Sequence, residues 1–138
     1  SYKIVGKYIK KLNFNIPNPK TFFLLSKDIS NYKINIDIKS NQIKDDIVEV
    51  QISLSLKSNI TQDNIINTEI IYSAIIEISE KNNSKEQIEK IILIDVPTEI
   101  YPELRKIFIF IFESSGFKEI KINEKVDFQK LLNLRKTQ

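Results

Sequence analysis

The sequence predicts an α+β fold in which strands come first and helices after. Three observations carry that expectation. Apolar residues in the first half recur with a period of two, and in the second half with the period of a helix. The strand candidates are joined by turns too short for a parallel crossover, which argues for a four-stranded antiparallel meander. The chain has 138 residues, which fits a single domain over 1–138 with its own hydrophobic core.

The first strand spans Ile4 to Ile16, with Ile4, Tyr8, Leu12, Phe14 and Ile16 in an interrupted period-two pattern. Gly6 within it marks a bulge or a close backbone approach. Pro17-Asn18-Pro19 stops the strand, because proline cannot donate to a ladder and restrains the residue before it. Phe22-Phe23-Leu24-Leu25 follows as an apolar patch inside a crossing loop. Tyr32 to Ile38 alternates cleanly, with Tyr32, Ile34, Ile36 and Ile38 on one face. After the polar turn Asn41 to Asp46, the next strand places Val48, Val50, Ile52, Leu54 and Leu56 together. Thr61 to Asn64 reads as another turn, and Ile70, Tyr72, Ala74, Ile76 and Ile78 as the fourth strand. Ile71 and Ile75 make that strand apolar on its second face as well, the pattern of a central or covered strand.

Ser84 and Gln87 have the spacing of a capping box, which opens a short helix to about Leu93. A longer helix runs from Pro97 to Ser115, where Gly116 takes the C-cap position,. Ile100, Leu104, Ile107, Phe108, Ile111 and Phe112 follow its period, and Ile109 and Phe110 extend the apolar surface nearly all round. Such a helix needs cover on several sides, which predicts self-association through Ile107, Phe108, Ile111 and Phe112. Phe117 to Ile122 reads as extended, and Phe128 to Arg135 as a closing helix.

Composition removes whole classes of chemistry. The chain has no Cys, His, Met or Trp, so thiolate, imidazole and triad catalysis are out of reach, as are Cys- or His-bound metals. Asp45-Asp46 sits in a turn, where Asp serves the backbone, and Lys10-Lys11 reads as a solvated face. Gly6 and Gly116 are the only glycines, so no glycine-rich phosphate loop exists. No catalytic residue, metal ligand or cofactor is expected. The net charge of +3 comes from 21 Lys+Arg against 18 Asp+Glu, with Arg only at Arg105 and Arg135. A nucleic-acid reader favours Arg, so the surplus of Lys reads as compositional drift and no nucleic-acid partner is expected. The longest strongly apolar run, Ile107 to Phe112, is far below the ~20 residues that span a bilayer, which predicts a cytoplasmic protein without membrane insertion. What stands out instead is apolar surplus, and large exposed apolar patches mark binding surfaces.

Several motifs together resemble the SecB family of bacterial protein-export chaperones. Tyr8-Ile9-Lys10-Lys11-Leu12-Asn13-Phe14 with Pro17-Asn18-Pro19 is similar to that family's first strand and turn, and Asp45-Asp46-Ile47-Val48-Glu49-Val50 to its entry into the long strand. Pro97 to Arg105 resembles the start of its long helix, and Gly116-Phe117 and Val126-Asp127-Phe128 to Leu131 its closing motifs. The resemblance covers nearly the whole chain. It implies a four-stranded antiparallel sheet with a long C-terminal helix and shorter helices on one face, assembled as a homotetramer, a dimer of dimers. It also implies an ATP-independent holdase that keeps precursor proteins unfolded and passes them to the SecA motor. Client segments are then expected in a groove lined by Phe22, Phe23, Leu24, Leu25, Ile71 and Ile75. Positions matching the family's acidic SecA-facing surface are Lys11, Asn15 and Glu69, of which Glu69 alone keeps the acidic charge for that contact. The alternative is a SecB-like chaperone dedicated to another client, such as the antitoxin of a toxin–antitoxin pair.

Overall fold

Alternating side chains define the sheet. A computed structural model describes residues 1–29, 32–57, 67–118 and 120–136. Its strands are β1 (Lys3–Asn13), β2 (Lys33–Lys44), β3 (Ile47–Lys57) and β4 (Asn67–Glu77), all antiparallel and ordered β1-β4-β3-β2. In the register Ile36↔Leu54 and Ile52↔Tyr72, apolar residues of neighbouring strands fall on one face. Val50, Ile52, Leu54, Ile70, Ala74 and Ile76 are fully buried there. Each of the Val, Ile and Leu side chains among them contributes about 1.5–3 kcal/mol on burial.

The expected meander holds for β2, β3 and β4 alone. The first strand lies beside β4, so the chain crosses from one edge of the sheet to the other between β1 and β2. That crossing contains a helix, α1 (Pro19–Asp28), where a loop was expected. Asn18 caps it, its Oδ1 accepting from the Thr21 N–H at 2.8 Å, and Pro19 occupies the first turn. Proline there loses no helical hydrogen bond and brings a preset φ. Pro17-Asn18-Pro19 therefore ends a strand and starts a helix.

The interrupted period of the first strand has a structural cause. Bulges fall between Ile4 and Gly6 and between Ile9 and Lys11, and each resets which face the following residues occupy. After the second, Lys11 pairs with Ile71 on the outer face while Leu12 returns to the core side. The second strand runs on to Lys44, through residues expected to form the turn, and ends on Asp45-Asp46. Asp46 is left-handed (φ 62°), and its Oδ1 accepts from the Glu80 N–H at 3.1 Å. The turn expected at Thr61 to Asn64 lies outside the described residues.

The two expected helices are one unbroken run. α2 (Lys85–Lys90) opens on the capping box of Ser84 and Gln87, and α3 (Val96–Ser114) follows through a π turn over Ile91–Asp95. α3 lies across the sheet with Ile100, Leu104, Phe108 and Phe112 fully buried. It ends at Gly116, whose φ of +102° favours glycine,. An ideal Cβ at Gly116 would stand 3.1 Å from the Phe22 ring of α1, so this glycine also admits the crossing helix. Phe22 and Phe117 stack at 4.9 Å. Beyond it, residues 120–127 form no helix or strand. They are tied back by the Tyr101 hydroxyl, which donates to the Asn123 carbonyl, and by Arg105 Nε to Ile122 O at 3.3 Å. The last helix, α4 (Phe128–Lys136), packs Phe128 and Leu132 inward.

Candidate functional site

Three surfaces remain once the core is filled. The first follows β2, which is an edge of the sheet. Tyr32, Ile34 and Ile36 line a cleft of about 200 Å³ with Tyr101, Lys121 and Ile122. Ile36 and Ile38 line a second, of about 240 Å³, with Leu93, Phe128 and the α4 residues Leu131, Leu134 and Arg135. Ile36 is common to both. The two clefts thus follow every second residue of one strand, which is how a sheet edge receives an extended segment.

The second surface lies at the opposite edge. Ile9 and Leu12 of β1 and Pro102, Ile107, Ile109, Phe110 and Ile111 of α3 line an apolar groove of about 820 Å³. Phe110 is 67% exposed, a large apolar side chain left in water. Of the four residues expected at a subunit interface, Ile107 and Ile111 line this groove. Phe108 and Phe112 share the helical phase of Leu104 and are fully buried against the sheet. Ile107, Ile111 and Phe110 line the groove while Phe108 and Phe112 face the sheet, because a helix stripe this wide divides between two sides,.

The third is the outer face of the sheet, where Glu49 is 4% exposed. Its carboxylate accepts from the Tyr8 hydroxyl, from Lys10 Nζ and Gln51 Nε2 at 2.9 Å, and from Ser73 Oγ at 2.7 Å. The Tyr8 hydrogen bond above all, and then those from Lys10, Ser73 and Gln51, hold its pKa down at about 2 against the opposing effect of burial. With its acceptor sites occupied, the group joins β1, β3 and β4 and has no proton to exchange at neutral pH. In the sequence Glu49 falls opposite the apolar row of Val48 and Val50. Its position opposite Lys10 appears only once β1 is paired to β4. A second cluster, on the helix side, has Glu103 accepting from Lys7 and the Tyr72 hydroxyl. Burial first, and Glu103 second, push the Tyr72 hydroxyl up to about 12.

The six expected groove residues do not share one surface. Leu25 is fully buried beneath α1 and Phe22 is half-buried against Phe117. Phe23 is 57% exposed with Lys27 Nζ 4.4 Å above its ring, and Leu24 is half-buried beside it. Ile71 and Ile75 are half-buried on the outer face of β4. Glu69, expected to meet a motor partner, lies on that outer face too and pairs with Lys11 Nζ at 3.0 Å. No helix among the described residues is long and apolar enough to cross a membrane.

Comparison with known proteins bears on what these surfaces serve. A family model described as preprotein translocase subunit SecB matches residues 1–138. A putative protein-export protein SecB of Pelagibacter ubique (strain HTCC1062) is 38% identical over 135 residues, which is 98% of this chain and 96% of that protein. Among solved structures, a SecB-like chaperone of Mycobacterium tuberculosis, in complex with a ChAD peptide from an antitoxin, superposes with a TM-score of 0.60. It is 12% identical and the match covers 88% of this chain and 90% of that one, so it supports the fold. The sheet order, the long helix laid across it and the whole-chain family match agree: the chain belongs to the SecB family.

Proposed function

We propose that this chain is an ATP-independent holdase for unfolded proteins destined for export. The observation that carries this reading is the pair of apolar clefts along the free edge of β2, joined at Ile36. An extended client segment adds its backbone to β2 and places alternate side chains between Ile34, Ile36 and Ile38 and the facing Tyr101, Phe128 and Leu131. Burial at about 25 cal/mol per Å² makes each such contact modest, and several per assembly raise the avidity. Assembly as a dimer of dimers covers Phe110 and the groove between β1 and α3. Phe23 and Leu24 on α1 are the parts of the crossing segment open to clients, while Ile71 and Ile75 offer a separate apolar patch on the outer face. None of this needs a catalytic group or a bound nucleotide, and the proposed site of action is the cytoplasm.

Delivery to SecA through Glu69 is the natural continuation. A second reading has its own support. Lys11 neutralises Glu69, so the one carboxylate kept at the three matched positions is engaged within the protomer. A chaperone dedicated to another client, such as an antitoxin, needs no acidic outer face. The decisive experiment is aggregation of a chemically denatured protein diluted into buffer with excess chaperone and no ATP. Suppression is expected; its absence at any excess overturns the holdase reading.

A further inference from the structure

The far wall of the cleft at Ile34 and Ile36 carries one inference more, and it rests on the reading that clients lie there. Residues 120–126 form no helix or strand, and no backbone–backbone hydrogen bond reaches them among the described residues. Ile120, Ile122 and Val126 are half-buried against the core, but apolar packing has no preferred direction. What fixes the segment is a pair of α3 side chains one turn apart. The Tyr101 hydroxyl donates to the Asn123 carbonyl, and Arg105 Nε donates to the Ile122 carbonyl at 3.3 Å. Burial, the larger effect, keeps the Tyr101 hydroxyl protonated against the nearby Arg105 charge. Tyr101 lines the cleft itself, whereas Arg105 lines neither of the β2 clefts. Among the described residues Arg105 enters no ion pair, and its hydrogen bond goes to this one backbone oxygen.

We propose that Arg105 is a positioning residue for client binding. Through Ile122 it holds residues 121–123 as a fixed wall, so that one side chain of a bound strand is gripped between that wall and Ile34 and Ile36. The cleft measures about 200 Å³, and a cavity of about 150 Å³ holds benzene, so there is room for a single aliphatic or aromatic side chain. A charged donor makes the stronger kind of hydrogen bond to the carbonyl. A wall already in place spares the client the cost of ordering it. With the bond cut, the same side chain keeps its contact with β2 and loses the opposite one.

The test compares the full chain with its Arg105→Met and Arg105→Gln variants. Gln puts its Nε2 donor where the Arg Nε stands and Met puts a methyl group there, so the pair separates the hydrogen bond from the shape of the stem. The probe is a fluorescent peptide with leucine at alternate positions, together with versions in which one leucine at a time becomes alanine. Anisotropy then gives a double-mutant cycle between residue 105 and each leucine. At one leucine, alanine is expected to raise Kd about three- to tenfold in the unaltered chain and in Arg105→Gln, and less than about twofold in Arg105→Met. The remaining leucines are expected to cost all three proteins the same. Arg105 also lines the groove between β1 and α3, but a change in assembly or in overall stability would shift every peptide alike. Equal coupling at all leucines, or Arg105→Gln behaving as Arg105→Met does, overturns the positioning role while the cleft reading stands. If no peptide binds the unaltered chain, the cleft reading falls and this role with it.

Discussion

The two edges of the sheet solve the same problem by opposite means. An unpaired strand edge invites association and has to be managed. β2 is regular through Lys33 to Gln42, carries isoleucine at alternate positions from Ile34 to Ile38, and has clefts beside it rather than a covering strand. β1 is twice bulged and has Lys3, Lys7, Lys10 and Lys11 but no acidic residue. Three of these lysines reach carboxylates elsewhere: Lys10 to Glu49 on β3, Lys11 to Glu69 on β4, and Lys7 to Glu103 on α3. The bulges make this possible by turning Lys11 to the outer face while Lys7 stays on the helix side. One edge is thus left regular enough to accept a strand. The other is fixed by charge and shape beside a groove that a second subunit is proposed to fill.

The strongest way to break this contrast is at Phe112. Its ring meets Phe14 at 5.2 Å, Phe108 at 4.7 Å and Phe117 at 5.7 Å, so it ties the chain just after β1 to α3. Phe112→Ala is expected to cost about 3–5 kcal/mol, read as a lowered urea midpoint with an unchanged slope. Loss below 1 kcal/mol would show that β1 is not anchored through α3.

Glu49 tests whether charge, rather than packing, holds β1. Its folded pKa of about 2 lies below the ordinary 4.5, so the folded state prefers the ionised form. The associated stability, up to about 3 kcal/mol, is present above pH 4.5 and is lost as pH falls toward 2. Glu49→Gln is expected to flatten the dependence of the urea midpoint on pH between 5 and 2.5. An unchanged slope would assign the acid sensitivity to other groups.

Phe110 sharpens the account of the β1 side. Phe110→Lys replaces an exposed ring and leaves the fold alone. It is expected to raise the dissociation constant of the assembly about tenfold or more, the loss typical of a central apolar anchor, as followed by light scattering against concentration. An unaltered assembly state would place the subunit contact elsewhere.

Much of this was legible in the sequence because the sheet has one wet face and one dry one. Ile34 to Ile38 and Val48 to Leu56 announce their strands and their inward sides with little ambiguity. The long helix was readable from Ile100 to Phe112 for the same reason. The crossing helix was not, because Phe22 to Leu25 supply a single apolar turn and Pro19 serves a strand end and a helix start equally well. Strand order was not legible either, since alternation says which face a residue takes and not which strand stands beside it. That is why the cluster around Glu49, whose partners Tyr8, Lys10 and Ser73 come from β1 and β4, could not be read from the sequence. The β2 clefts escaped for a related reason: Ile34, Ile36 and Ile38 read as one face of an alternating strand, and only the placement of residues 120–136 shows where that face stays open.

The π turn at Ile91–Asp95 has a consequence for how one helix serves two neighbours. Val96 N–H bonds to Ile91 O, five residues back, and both side chains are buried. A regular helix would carry Asp95 into the inward phase set by Ile88, Ile91 and Ile92. The inserted residue takes up that misfit, Asp95 stays half-buried within 3.9 Å of Lys90 Nζ, and Val96 and Pro97 restart the inward row. The two halves are thereby offset by one residue in sequence while their inward rows stay aligned. Leu93 is left to line the cleft at α4 while α3 beyond it grips the sheet. Forcing these residues into a regular ladder with none removed would rotate one half by about 100° against the other, whereas deleting one residue restores an uninterrupted ladder with both inward rows in phase. In this position the π turn and the extra residue answer each other: neither is tolerable without the other.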